Sequence, residues 1–185
     1  MEAPKVARRR STFLAPVWLA LFAFAVLAVA SVTFWARATT TTIVLVRHAE
    51  KQLGTIEDPP LTQEGDERAQ RLAGLFGDRS PVGGIGAIYA TPTRRTQATA
   101  APLAARLGLQ VITADDAPDA LARRVRREQH GGAALIVGHS NTVPLIVAAL
   151  TARRDVPPIA DDDFGTIYVV TVPDFGRASV LRLRY

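Results

Sequence analysis

Two histidines in this chain stand where short apolar runs end, with arginines beside and between them. Ile43-Val44-Leu45-Val46 runs into Arg47-His48-Ala49-Glu50, and Leu135-Ile136-Val137 runs into Gly138-His139-Ser140. Between them, Ile88-Tyr89-Ala90 leads to Thr91-Pro92-Thr93-Arg94-Arg95-Thr96. Open α/β sheets handle their ligands at the carboxyl ends of buried strands. A neutral imidazole there can attack phosphorus and form a covalent intermediate, which divides hydrolysis into two easier steps. Guanidinium forks match phosphate oxygens in pairs, and phosphoryl transfer depends mainly on positioning and charge stabilisation. These residue types in this setting are equipment for holding a phosphoryl group and attacking it.

The elements that must position them can be read from periodicity and turn chemistry. Ile43–Val46 reads as a strand. A helix follows from Leu61-Thr62 to about Phe76, with Ala69, Leu72, Ala73 and Phe76 on one face and Thr62 as N-cap. Strand Ile85–Ala90 leads to a helix from about Pro92 to Leu107, with proline in its first turn and Gly108 just past its end. Strand Leu109–Thr113, a helix from Pro118 to Gln129, strand Ala133–Val137 and a helix from near Ser140 to about Thr151 come next. Strands Thr166–Val172 and Ala178–Leu183 close the chain. This order predicts a three-layer α/β/α domain over residues 39–185, built on an open, mostly parallel sheet.

Residues 1–38 are expected to be a separate region, a basic stretch followed by a transmembrane or signal helix. Ser11 to Ala36 carries no formal charge, and Lys5, Arg8, Arg9 and Arg10 precede it. As a helix the run is long enough for a bilayer of about 30 Å. Membrane contact is expected through residues 12–36, with the basic end cytoplasmic and the domain outside. Two outcomes fit: an inner-membrane anchor with the domain facing the periplasm, or secretion after cleavage near Ala38, where Ala36-Arg37-Ala38 has small-x-small form.

The formal charge of +5 is concentrated at that end. Residues 1–38 hold five basic residues and one acidic, which leaves 17 basic and 16 acidic residues in the domain. A nucleic-acid partner is therefore not expected. With no cysteine, disulfides and thiolate chemistry are excluded. The three histidines show no ligand spacing, so no metal site is expected.

Arg47-His48-Ala49-Glu50, Leu61-Thr62-x-x-Gly65, Thr91-Pro92-x-x-Arg95-Thr96-x-x-Thr99 and Gly138-His139-Ser140 together resemble the motifs of the histidine phosphatase (phosphoglycerate mutase-like) superfamily, in its compact small-domain form. Ala49 and Thr91 stand where many members have glycine and serine. The resemblance implies a phosphomonoesterase without metal or cofactor, acting through a phosphohistidine on His48. Arg47 and Arg95 would be the clamps and His139 a donor to the phosphoryl oxygens. It selects Arg95 over Arg94, which becomes a solvated helix residue.

The family's general acid follows the third strand, where Asp116 and Asp119 are both candidates. Asp116 could instead cap the next helix, and Asp119 could pair with Arg123. Glu50 is expected near the mouth of the site, His130 in a surface loop and Asp161-Asp162-Asp163 in a solvated turn. Arg123, Arg124, Arg126 and Arg127 should form one solvated helix surface. The expected partner is a phosphorylated small molecule or an envelope phosphosugar, by analogy with lipopolysaccharide core heptose phosphatases. A phosphohistidine protein phosphatase and a non-catalytic phospholigand-binding module are the alternatives.

Overall fold

The structure is a computed structural model that describes residues 15–37, 39–54, 57–77, 80–153 and 155–185. Contacts divide the chain into Met1–Ala38 and Thr39–Tyr185. In the first unit, helix α1 spans Ala15–Arg37. Its stretch Val17–Phe34 has a mean hydropathy of 2.4 and none of it is buried, so it is long and apolar enough to cross a membrane. The basic residues Lys5 to Arg10 and the cleavage position Ala38 lie outside the described residues.

The second unit runs β1 (Thr40–Arg47), α2 (Gln63–Phe76), β2 (Ile85–Ala90), α3 (Arg94–Leu107), β3 (Val111–Thr113), α4 (Pro118–Glu128), β4 (Ala133–Gly138), α5 (Thr142–Thr151), β5 (Thr166–Pro173) and β6 (Ser179–Arg184). The strands form one sheet in the order β3-β2-β4-β1-β5-β6. β1, β2, β3 and β4 are parallel, while β5 and β6 run antiparallel to their neighbours. The predicted three-layer α/β architecture with a mostly parallel sheet is the one found.

Alternation along β1 builds the two cores. Ile43 and Leu45 pack with Tyr89, Leu121, Val125 and Ile146 under α4 and α5. Val44 and Val46 face the other way, onto Leu72, Phe76, Ile88 and Leu103 under α2 and α3. All four β1 side chains are fully buried, and truncating any of them to alanine should cost about 2–4 kcal/mol. β1 hands the chain to α2 on one face, whereas its neighbour β4 hands it to α5 on the other. A crevice therefore opens between their carboxyl ends, the position that doubly wound sheets use for ligands.

Several local expectations need correction. α3 starts at Arg94 rather than Pro92, because the Thr96 hydroxyl bonds the carbonyls of Thr91 and Thr93 and holds Pro92 in a turn before the helix. β3 is shortened to three residues. As an edge strand it pairs only with β2. Ala117, not Asp116, is the N-cap position of α4 and makes no side-chain cap. Thr62 does cap α2, accepting from the Gly65 amide at 3.1 Å. Gly65 is required there, since a Cβ would collide with the Glu50 carbonyl oxygen.

Candidate active site

β1 and β4 are in register with Arg47 beside Gly138, and the His48 amide continues the ladder to the Gly138 carbonyl at 2.9 Å. That pairing sets the two histidines side by side at the crevice. Their ring centroids are 5.4 Å apart with planes inclined at 66°. His48 is 4 % exposed. Its Nδ1 lies 2.7 Å from the Ala49 carbonyl oxygen. A carbonyl can only accept, so Nδ1 carries the proton and Nε2 keeps its lone pair.

The turn after β1 is held by a relay from α3. The Ala49 amide donates to the Thr99 hydroxyl at 3.0 Å, and that hydroxyl donates to the Arg95 carbonyl at 2.7 Å. Burial pushes the His48 imidazole down to about 4, with help from the charges of Arg47, His139 and Arg95 and against the Ala49 hydrogen bond. His139 is also lowered, by burial first and then by Arg95 and Arg47. Both rings are therefore neutral near pH 7.

His139 is oriented by a hydroxyl chain. Its Nε2 lies 2.9 Å from Thr91 Oγ1, which is 2.9 Å from Thr96 Oγ1. The Thr96 hydroxyl is buried and has the Thr91 and Thr93 carbonyls within reach as acceptors. The motif threonines thus hold the site's backbone and its second histidine.

The arginines are anchored in different ways. Arg47 Nη1 donates to the carbonyls of Ala160 and Asp161 at 2.8 Å, with that of Asp163 at 3.3 Å. Its guanidinium carbon sits 4.1 Å over the centre of the Phe164 ring, and that ring is 6.1 Å from the His48 ring. Arg95 Nη1 contacts Asp58 Oδ1 at 3.3 Å. The same carboxylate accepts from the Arg94 amide at 2.9 Å, at the start of α3. The Nε atoms of Arg47 and Arg95 are buried and have no hydrogen-bond partner among the described residues. Leaving a charged donor unsatisfied is costly, and the charges of both arginines act on both histidines.

His48, His139, Arg47 and Arg95 are therefore brought together; the two aspartates are not equivalent. Asp116 pairs with Arg124 at 3.0 Å and lines a small cavity with Thr91, Gly138 and Thr142. Asp119 pairs with Arg123 at 2.8 Å on the outer face of α4, with its side chain 61 % exposed. The Glu50 carboxylate is held by Arg68 of α2, which donates to it at 2.7 Å. Arg94 is exposed, and so is His130, which bonds Asp174.

Asp163 is not solvated either: it is 8 % exposed. It accepts from Thr166 Oγ1 at 2.7 Å and Gly165 N at 3.2 Å, and it pairs with Arg182 and Arg184. Burial works against its charge, but these donors hold its pKa below the usual carboxylate range. The loop that receives Arg47 is built on this carboxylate. Phe164 and Asp58 were not singled out in the sequence, because neither stands in a motif or at a readable period. Among the described residues no group of three His, Asp or Glu could hold a metal ion.

An α/β domain with two histidines and two arginines gathered at its strand ends is the class that this fold and crevice define. The model of the histidine phosphatase superfamily (branch 1) matches residues 43–119, a similarity that supports the superfamily resemblance of the motifs. The fold is shared with solved structures of low sequence identity. The protein histidine phosphatase SixA complexed with tungstate has a TM-score of 0.65 and 18 % identity, over 77 % of this chain and 96 % of that one. The SixA protein of Nakamurella multipartitia has a TM-score of 0.59 and 22 % identity, over 80 % and 97 %. A mycobacterial glucosyl-3-phosphoglycerate phosphatase has 0.58 and 15 %, over 71 % and 90 %. No curated protein matches the chain.

Proposed function

We propose that residues 39–185 form a metal-independent phosphomonoesterase that works through a phosphohistidine on His48. One observation carries this reading: two imidazole rings stand 5.4 Å apart with two guanidinium groups whose buried Nε atoms lack acceptors among the described residues. The His48 Nε2 lone pair attacks phosphorus while the Ala49 carbonyl holds Nδ1–H. The P–O bond to the leaving group breaks, and the alkoxide takes a proton from an acid. Water then attacks the phosphohistidine and gives its proton back, releasing phosphate and free His48. Arg47, Arg95 and His139 bind the phosphoryl oxygens and stabilise the charge that spreads over them. Of the two aspartates, we assign the proton to Asp116, which shares a cavity wall with Thr91.

The substrate we infer is a phosphorylated small molecule or envelope phosphosugar, met outside the cytoplasm by a domain tethered or exported through α1. The uncharged length of α1 and the basic residues before it support that topology. A protein phosphohistidine is the second substrate class, favoured by the likeness to SixA phosphatases.

Hydrolysis of p-nitrophenyl phosphate by residues 39–185 in EDTA tests the reading. Turnover that survives the chelator and disappears in His48→Ala is the expected result. No turnover by the unaltered domain would leave a phospholigand-binding module, and turnover lost to EDTA would overturn metal independence.

A further inference from the structure

Two recesses lie at the end of the sheet away from the histidines. One, of about 490 Å³, is lined by Arg126, Arg153 and Arg177 together with Leu150, Thr151 and Pro173. The other, of about 590 Å³, shares Arg126 and adds Arg123, Arg127 and His130. β5 runs antiparallel to β1 and pairs Pro173 with Thr40, so these arginines are a full strand length, about 23 Å, from His48.

The charge here is unbalanced. Arg126, Arg153 and Arg177 have no ion pair among the described residues. The neighbouring carboxylate, Asp174, is taken up by the Thr39 amide and hydroxyl at 3.0 Å and by His130 at 2.7 Å. Thr39, where the chain enters the domain, is thus fastened to this end, and only one residue separates it in sequence from the end of α1.

We propose that Arg126, Arg153 and Arg177 form a docking surface for the headgroups of anionic phospholipids. Arginine forks pair with phosphodiester oxygens, and basic clusters beside a membrane segment are drawn to anionic lipid. A free phosphate compound could use the same forks, but the point of chain entry favours the lipid. This surface is independent of the chemistry at His48.

Residues 39–185 hold the whole sheet and both cores, and the SixA chains are matched over 96 and 97 % of their length, so the domain is a complete folding unit. The test is its co-sedimentation with phosphatidylcholine vesicles, with or without phosphatidylglycerol. Binding should require phosphatidylglycerol and weaken about tenfold or more in R126Q/R153Q/R177Q, while p-nitrophenyl phosphate turnover in solution stays unchanged. Arg177→Glu, in the exposed turn, gives the same comparison if the triple variant does not fold.

Glycerol phosphate, titrated against the arginine side-chain NMR signals, distinguishes the other source. If it moves those three signals while vesicles stay unbound, lipid docking is overturned in favour of a soluble ligand. Equal vesicle binding by the variants, or none by the unaltered domain, overturns the proposal outright.

Discussion

The imidazole of His139 meets that of His48 edge to face, and each ring is held from behind by a different segment, Thr91 for one and the Ala49 carbonyl for the other. The two rings therefore have separable tasks. His48→Ala should reduce turnover by about 10³-fold or more, and His139→Ala by about 10²-fold. Acid-quenched mass spectrometry during turnover should find phosphate on His48 alone. A phosphoryl group on any other residue would refute the assignment.

The pH dependence follows from the lowered His48. Attack needs the neutral ring, so the acid limb of kcat/KM set by this group rises through about pH 4 and is flat above it. Stability follows the same sign. The unfolded chain, with an ordinary histidine near 6.5, binds the proton first as pH falls. The folded state thus loses stability between about pH 6.5 and 4, by an amount on the order of 3 kcal/mol from this residue, and His139 adds to it in the same direction. Urea titrations at several pH values should show that slope in the unaltered domain and a weaker one in His48→Asn.

Thr91 is a positioning residue in this scheme. Thr91→Val keeps the shape but removes the contact to His139 Nε2. It should lower kcat about tenfold with KM little changed, and Thr91→Ser should restore it. Equal kcat in the valine variant would mean that His139 needs no such support.

The carboxylates can be told apart by leaving group. If Asp116 supplies the proton, Asp116→Asn should impair alkyl phosphates about 10²-fold but p-nitrophenyl phosphate far less, because nitrophenolate leaves unaided. Asp119→Asn should leave both rates near those of the unaltered domain. Asp58→Asn, which frees Arg95 and the start of α3, should appear as a raised KM.

Gly65 reverses a common expectation. Glycine to alanine inside a helix ordinarily stabilises by about 1 kcal/mol. Here the new methyl would strike the Glu50 carbonyl, so Gly65→Ala should destabilise by about 2 kcal/mol or more. A thermal melt that rises would contradict the close approach of α2 to the turn after His48.

The sheet was legible because alternation in Ile43–Val46 and periodicity in α2 reflect burial directly. So were the four residues at the crevice, since strand ends can be read from where apolar runs stop. Contacts made by backbone were not. Arg47 takes its anchors from carbonyls far along the chain, and carbonyls leave no trace in residue identity. Asp163 was hidden for a related reason: three consecutive aspartates look alike until one is turned inward to Thr166. Pro92 misled because a proline fits the turn before a helix as well as its first turn.

The divided allegiance of Arg47 has a practical consequence for anyone dissecting this site. One of its nitrogens ties down the segment from Ala160 to Asp163, while under the proposed function the same guanidinium also clamps the phosphoryl oxygens. An inactive Arg47 variant would thus confound a slack scaffold with a missing contact. Arg95, whose ties are to a single half-exposed aspartate, is the cleaner place to weigh what a guanidinium contributes to the reaction.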